Sequence, residues 1–215
     1  MGLGGAVGEA IARKIRLLTG TAMADRPMRL FLIGVSCVGI TTVGTLLAER
    51  LGWPFYDLCL EIERHFGKPL MHLKRSVFCG EALYRKRYAV PVLKKLIQAE
   101  PNGSFVMALS PNGLKDAMWD VLKQVDRVVV VLRDSPENII NRVTFYDDDS
   151  MRIEKTLSED ERWDYIEEIA KDIAHYRRSF GKADFAVDIH GLDAARTADK
   201  VELALRDWSV AQAGE

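Results

Sequence analysis

The chain has 215 residues, 48% of them hydrophobic and 28% charged, a balance that suits one folded domain and excludes wholesale disorder. Thirty Lys and Arg oppose 31 Asp and Glu, which argues against broad electrostatic binding to nucleic acid or acidic membranes. No apolar run reaches the roughly 18 residues of a membrane span, and Cys37, Cys59 and Cys79, with no CxxC pair, give neither a disulfide framework nor a zinc site, so a reducing cytoplasm is the expected compartment.

Residues 1–28 read as a poorly ordered N-terminal extension, weakly amphipathic over 6–18, and residues 29–210 as a single domain. The apolar run 30–34 predicts a fully buried strand that ends in glycine. Val43, Leu46, Leu47 and Leu51 recur at helical spacing and predict a helix over 41–51. Pro54, Phe55 and Tyr56 lead into a short second strand that ends near Asp57. Two short helices are expected over 60–65 and 69–77, divided by Gly67. A longer helix follows over 82–98, kinked at Pro91, and then a turn at Pro101, Asn102 and Gly103.

A third strand is expected over 104–109 and a fourth over 127–132, where consecutive valines suit burial on both faces. Ser135 and Pro136 start a helix. Ser158 and Glu161 form a capping box for a long helix to about residue 179. A fifth strand over 185–189 and a helix over 192–207 close the chain. The alternation implies βαβ units, a parallel sheet and helices on both of its faces. The polar stretch 146–156 suits a mobile lid, over about 144–157.

Between the first strand and its helix stand Gly34, Val35, Ser36, Cys37, Val38, Gly39, Ile40 and Thr41. This segment agrees with the phosphate-loop template G-x-x-x-x-G-K-[ST] at every position except the lysine. Backbone N–H groups of such a loop surround phosphate oxygens, and the helix N-terminus adds partial positive charge. Thr41 would offer its hydroxyl to Mg²⁺. Ile40 stands where the lysine belongs and has neither donor nor charge. Loss of one such group costs on the order of 3–5 kcal/mol of transition-state stabilisation.

Beyond the loop, Thr42-Val43-Gly44, then Phe55-Tyr56-Asp57, Glu61-Ile62-Glu63, Gly67, and Gly80-Glu81 followed by Tyr84-Arg85 resemble the shikimate kinase family over most of residues 29–190. The resemblance implies a three-layer α/β/α P-loop kinase fold, nucleoside-monophosphate-kinase-like, with a five-stranded parallel sheet and a lid. It implies ATP and Mg²⁺ as cofactors, with Gly34, Ser36, Cys37, Val38, Gly39, Ile40, Thr41, Thr42 and Arg142 at the nucleotide. Thr41 and Asp57 would serve the metal, Asp57 and Arg85 the acceptor, and Asp57 and the lid's Arg152 catalysis.

The sequence departs from the family's pattern at four places. Cys59 stands where a second Asp is expected, Ser110-Pro111-Asn112 where three glycines are, Asp172 where a second carboxylate-binding Arg is, and Ile40 where the lysine is. Arg177 or Arg178 would be the compensating arginine, and Lys68 or Lys74 the compensating cation. Plain alternatives exist for each site residue. Asp57 suits a helix cap, Arg85 a solvated helix face, Cys37 a small filler, and Arg142 and Arg152 ion pairs with Asp147, Asp148, Asp149 or Glu154.

The reading is a divergent, shikimate kinase-like phosphotransferase acting on a small hydroxylated, anionic metabolite, its activity resting on what replaces the loop lysine. The alternative is a non-catalytic nucleotide- or metabolite-binding relative. A small-molecule substrate is the expected partner, without nucleic acid or membrane, and the expected assembly is a monomer or weak homodimer.

Overall fold

The computed structural model describes residues 27–77, 80–100 and 103–213. The expected helix over 6–18 lies outside them, as do Pro101 and Asn102 of the expected turn. The folded domain starts earlier than residue 29. Met28 is buried, and its N–H donates to Ser104 Oγ at 3.0 Å.

Strand β1 (Arg29–Ile33) is followed by helix α1 (Ile40–Leu51), β2 (Phe55–Asp57), α2 (Leu58–Phe66) and α3 (Leu70–Arg75). Gly67 ends α2 with φ +61°, a left-handed stop that a side chain would strain. The expected helix over 82–98 is three pieces: α4 (Glu81–Tyr84), a π-turn (Arg85–Ala89) and α5 (Val90–Ala99). Pro91 lies in the first turn of α5 and has no N–H to give. The chain adjusts just before it, where the Val90 N–H reaches back five residues to the Arg85 carbonyl. Such π-turns often mark functional sites, and this one carries Arg85.

Strand β3 (Phe105–Ala108), helix α6 (Asp116–Leu122), β4 (Val128–Arg133), α7 (Pro136–Ile139) and a 3₁₀ turn (Ile140–Arg142) come next. Then follow β5 (Phe145–Tyr146), β6 (Arg152–Ile153), α8 (Glu159–Phe180), β7 (Phe185–Asp188) and α9 (Ala194–Ala213). Helix α6 and the β5–β6 hairpin were not expected from the sequence. The capping box at Ser158 and Glu161 forms as read. The final helix runs past the expected end at 207.

The main sheet is parallel, in the order β2-β3-β1-β4-β7. Alternate residues of each strand face opposite layers. Phe31 and Ile33 pack with apolar side chains of α2 to α6, whereas Leu30 and Leu32 pack with those of α1 and α9. Helices therefore cover both faces, as expected. All four residues of β3 are buried, so the central strands are rigid supports. Their C-terminal ends are where open α/β sheets gather ligands. No helix among the described residues is long and apolar enough to cross a membrane.

Candidate active site

The loop after β1 is tied down by packing. A Cβ on Gly34 would lie 2.5 Å from Val38 Cγ1 and 2.8 Å from the Leu132 carbonyl oxygen, so glycine alone lets the loop pass this close to β4. φ is +62° at Cys37 and +108° at Gly39, but not positive at Ser36 or Val38. Residues whose φ alternates in sign turn successive N–H groups to one side, which makes an anion nest. Helix α1 starts at Ile40 with no side-chain cap, so its first N–H groups are also left for an anion.

Thr41, in the first turn of α1, donates its hydroxyl to Asp57 Oδ2 at 2.7 Å. Asp57 Oδ1 accepts from the N–H groups of Cys59 and Leu60 at 3.0 and 3.4 Å, capping α2. The cap is therefore made by one oxygen of this carboxylate, and the other oxygen is the one that meets Thr41. Among the described residues no cluster of three His, Cys, Asp or Glu side chains holds a metal by itself. Thr41 and Asp57 instead offer two hard oxygen donors, which suits Mg²⁺ that arrives with phosphate ligands. The backbone cradle likewise fits a polyphosphate, and only Ile40 fails to.

Two cavities meet at the loop. The first, of about 490 Å³, is lined by residues 37–43 together with Arg142, Thr144, Tyr146, Ile189 and Leu192. The second, of about 130 Å³, is lined by Ser36 of the same loop and by Cys59, Lys74, Glu81, Arg85 and Tyr176 among others. The larger is of nucleotide size and the smaller suits a compact acceptor. A group held by the loop would stand between them.

Arg142 reaches the first cavity and is paired with Asp134 rather than with the acidic residues of the lid. The Asp134 side chain is buried, one residue past the end of β4. It also accepts from the Ser135 N–H at 2.9 Å, Asn138 Nδ2 at 2.8 Å and the Gly191 N–H at 3.2 Å. Burial works to raise its pKa, but the hydrogen bonds from Arg142, Asn138 and Ser135 prevail and hold the carboxyl below its ordinary value. The sequence reading missed Asp134. Its signal was an Asp immediately after the strand that the valine run opens, at the strand's C-terminal end.

Arg152 is exposed and does not line either cavity. It is the register partner of Tyr146 in the β5–β6 hairpin. Paired residues share a face of a hairpin, so Arg152 belongs to the face whose Tyr146 lines the first cavity. The hairpin tip is docked on α2 and α3. Arg75 pairs with Asp148 at 2.5 Å, His72 lies 3.4 Å from Asp149, and Ser150 Oγ donates to Glu63 at 2.6 Å.

Arg85 is the charged centre of the second cavity. Its side chain is 8% exposed. One terminal nitrogen is 3.3 Å from Glu81 and the other 2.5 Å from Asp116. Asn112 Nδ2 donates to the same Glu81 at 2.8 Å. The guanidinium that the family resemblance assigns to the acceptor thus already holds two carboxylates of its own chain. Cys59 lines this cavity as a thiol whose pKa burial, and then the Asp57 charge, push up to about 12. It stays protonated and is a weak hydrogen-bonding group. Lys74 lines the cavity and Lys68 does not. Arg177 lines a different cavity, between α8 and β7, so it does not replace the arginine missing at Asp172.

A family model for shikimate kinase matches residues 36–201. The shikimate kinase of Moorella thermoacetica is 28% identical over 85% of this chain and 96% of its own length. That of Aquifex aeolicus is 40% identical over a shorter stretch, 34% of this chain and 42% of that protein. The structure of a shikimate kinase from Acinetobacter baumannii in complex with shikimate superposes with a TM-score of 0.62 at 26% identity, covering 86% of this chain and 97% of that one.

Proposed function

Because the chain belongs to the shikimate kinase family, a family of ATP-dependent small-molecule kinases, we propose that it transfers the γ-phosphoryl group of MgATP to a hydroxyl of a small molecule held beside Arg85. The observation that carries this reading is that one loop forms a wall of both cavities, through residues 37–42 on one side and Ser36 on the other. The acceptor oxygen bonds to the γ-phosphorus as the bond to the β,γ-bridging oxygen breaks. ADP leaves, and the hydroxyl proton passes to Asp57 or to water.

In such transfers the protein chiefly positions groups and neutralises charge. The loop N–H groups would hold the phosphates, and Thr41 and Asp57 would hold Mg²⁺, which would supply positive charge to offset the negative charge of the phosphates. Arg142, fixed by Asp134 on the wall of the first cavity, would contact the nucleoside part. Arg152 on the lid hairpin and Lys74 in the acceptor cavity are the cations available to take over from the absent lysine. The test is ADP release with saturating MgATP and a panel of small polyhydroxy compounds. The reading predicts ADP above background with at least one acceptor, and absence of ADP with all of them contradicts it.

One observation favours the second reading, a non-catalytic nucleotide-binding relative. Ile40 packs against the apolar cluster that α1 and α9 share with the sheet, and its side chain brings no charge to the cavity it lines. Ile40→Lys separates the two. A gain in turnover marks a weakened kinase, and nucleotide binding with no turnover in either form marks a binding module.

A further inference from the structure

A third cavity, of about 560 Å³, shares no lining residue with the other two. It lies between α8 and the strands β4 and β7, and Val35 of the phosphate loop also lines it. Ile169, Ile173, Tyr176 and Phe180 recur along α8 at helical spacing and turn one side of the helix toward the apolar cluster of the sheet. Ile173 and Phe180 reach the cavity, but Gly181, Ala183 and Ala186 on its wall are too small to fill the space. Nine of the thirteen lining residues are apolar or glycine. A concave space of this volume, mostly apolar with a few polar groups, is the kind that holds a small molecule.

The other four lining residues are charged, two of each sign, and three of them are engaged. Arg133 and Asp188 are register partners in β4 and β7 and hold one another through two bonds, at 2.9 and 3.0 Å. Asp134 is taken by Arg142, and its side chain is almost wholly buried. Arg177 is the fourth, and among the described residues its guanidinium has neither an ion pair nor a hydrogen bond. It follows Ile173 by four residues, so the two share one side of α8. Its stem can lie on the apolar wall while its exposed head stands at the rim. Both carboxylates are therefore spoken for, and one planar cation is left over at the mouth of an apolar cavity. A guanidinium of that kind suits a carboxylate or sulfonate.

We propose that the third cavity is a binding site for a small apolar monoanion, a carboxylate or sulfonate with a ring or branched body. The body lies against Ile173, Phe180 and Phe185, and the anionic group meets Arg177 at the rim. The site is separate from the nucleotide and acceptor cavities, and its existence does not depend on phosphoryl transfer.

The test is a fluorescence titration of the full chain with two probes, anilinonaphthalene sulfonate and the uncharged N-phenylnaphthylamine. It is repeated on Arg177→Gln, which removes the charge, and on Ala186→Ile, which fills the cavity from an exposed strand position. Thermal melting checks that both variants fold. The wild type is expected to bind the sulfonate saturably, at one site. Arg177→Gln is expected to weaken the sulfonate about fivefold or more, the effect of one charge-assisted bond at a solvent-washed rim, and to leave the neutral amine within about twofold. Ala186→Ile is expected to weaken both probes. No saturable binding of the sulfonate to the wild type overturns the proposal. So does an Arg177→Gln variant that treats the two probes alike, and so does an Ala186→Ile variant that binds the sulfonate as the wild type does.

Discussion

The hydroxyl of Thr41 and the carboxylate of Asp57 meet at 2.7 Å, and this bond joins the start of α1 to the end of β2. It orients two oxygen donors beside the phosphate loop, while the other Asp57 oxygen caps α2. The two duties separate by mutation. Asp57→Asn keeps a side-chain acceptor for the cap and loses the charge. Asp57→Ala loses both. Loss of a cap costs about 1 kcal/mol, so the Ala variant should be less stable than the Asn variant by about that much in urea denaturation. Both should lose the Mg²⁺ dependence of nucleotide binding, measured by titration with and without the cation.

Gly34 is fixed by space. Gly34→Ala would drive a methyl group into Val38 and the Leu132 carbonyl. Overpacking of this kind costs about 1–3 kcal/mol and moves the loop that cradles phosphate. The variant should melt lower and bind nucleotide at least about tenfold more weakly.

Asp134 sets a pH dependence. Its carboxyl is held below the ordinary value in the folded chain, against the burial that would raise it, by Arg142, Asn138 and Ser135. A lowered carboxyl adds stability above its unfolded pKa of about 4, and the contribution is lost as pH falls through the folded value. Asp134→Asn should therefore be destabilised by about 2 kcal/mol at neutral pH. The gap from wild type should narrow steadily below about pH 4. A gap that stays constant from pH 7 to pH 3 would show that the carboxylate charge plays no part.

The docked hairpin gives a prediction about motion rather than stability. Arg75 and Asp148 are both more than half exposed, and surface pairs of this kind contribute little to folding. Asp148→Ala should leave the melting temperature unchanged and raise the rate of limited proteolysis within residues 145–153.

Cys59 should behave as an inert thiol. With its pKa near 12, less than about 1% is thiolate at pH 8.5. Peptide mapping after iodoacetamide treatment at that pH should find Cys59 unmodified in the folded chain and modified in denaturant.

The sheet was legible because its signals are local. Buried valine and leucine runs, glycines at helix ends and the capping box at Ser158 each act within a few residues. The phosphate loop was legible for the same reason, as was Thr41. Helix α6 was missed although Met118, Val121 and Leu122 have helical spacing, because seven residues barely complete two turns. The lid strands are two residues each, too short for any period. Long-range pairs carry no local signal. Nothing near Arg85 announces Asp116, and nothing near Arg75 announces Asp148. The arginines read as lid or surface partners for Asp147, Asp148 and Asp149 were the wrong ones. Arg142 instead meets Asp134, eight residues upstream, just past the end of β4.

On the proposed function, the loop over residues 34–41 holds the phosphates of a nucleotide without a lysine. The most direct measurement is a calorimetric titration of the full chain with MgATP to millimolar concentration, at several temperatures. Saturable binding of one nucleotide is expected, weaker in Gly34→Ala and tighter in Ile40→Lys. No detectable heat at any temperature, with Ile40→Lys equally silent, would contradict it.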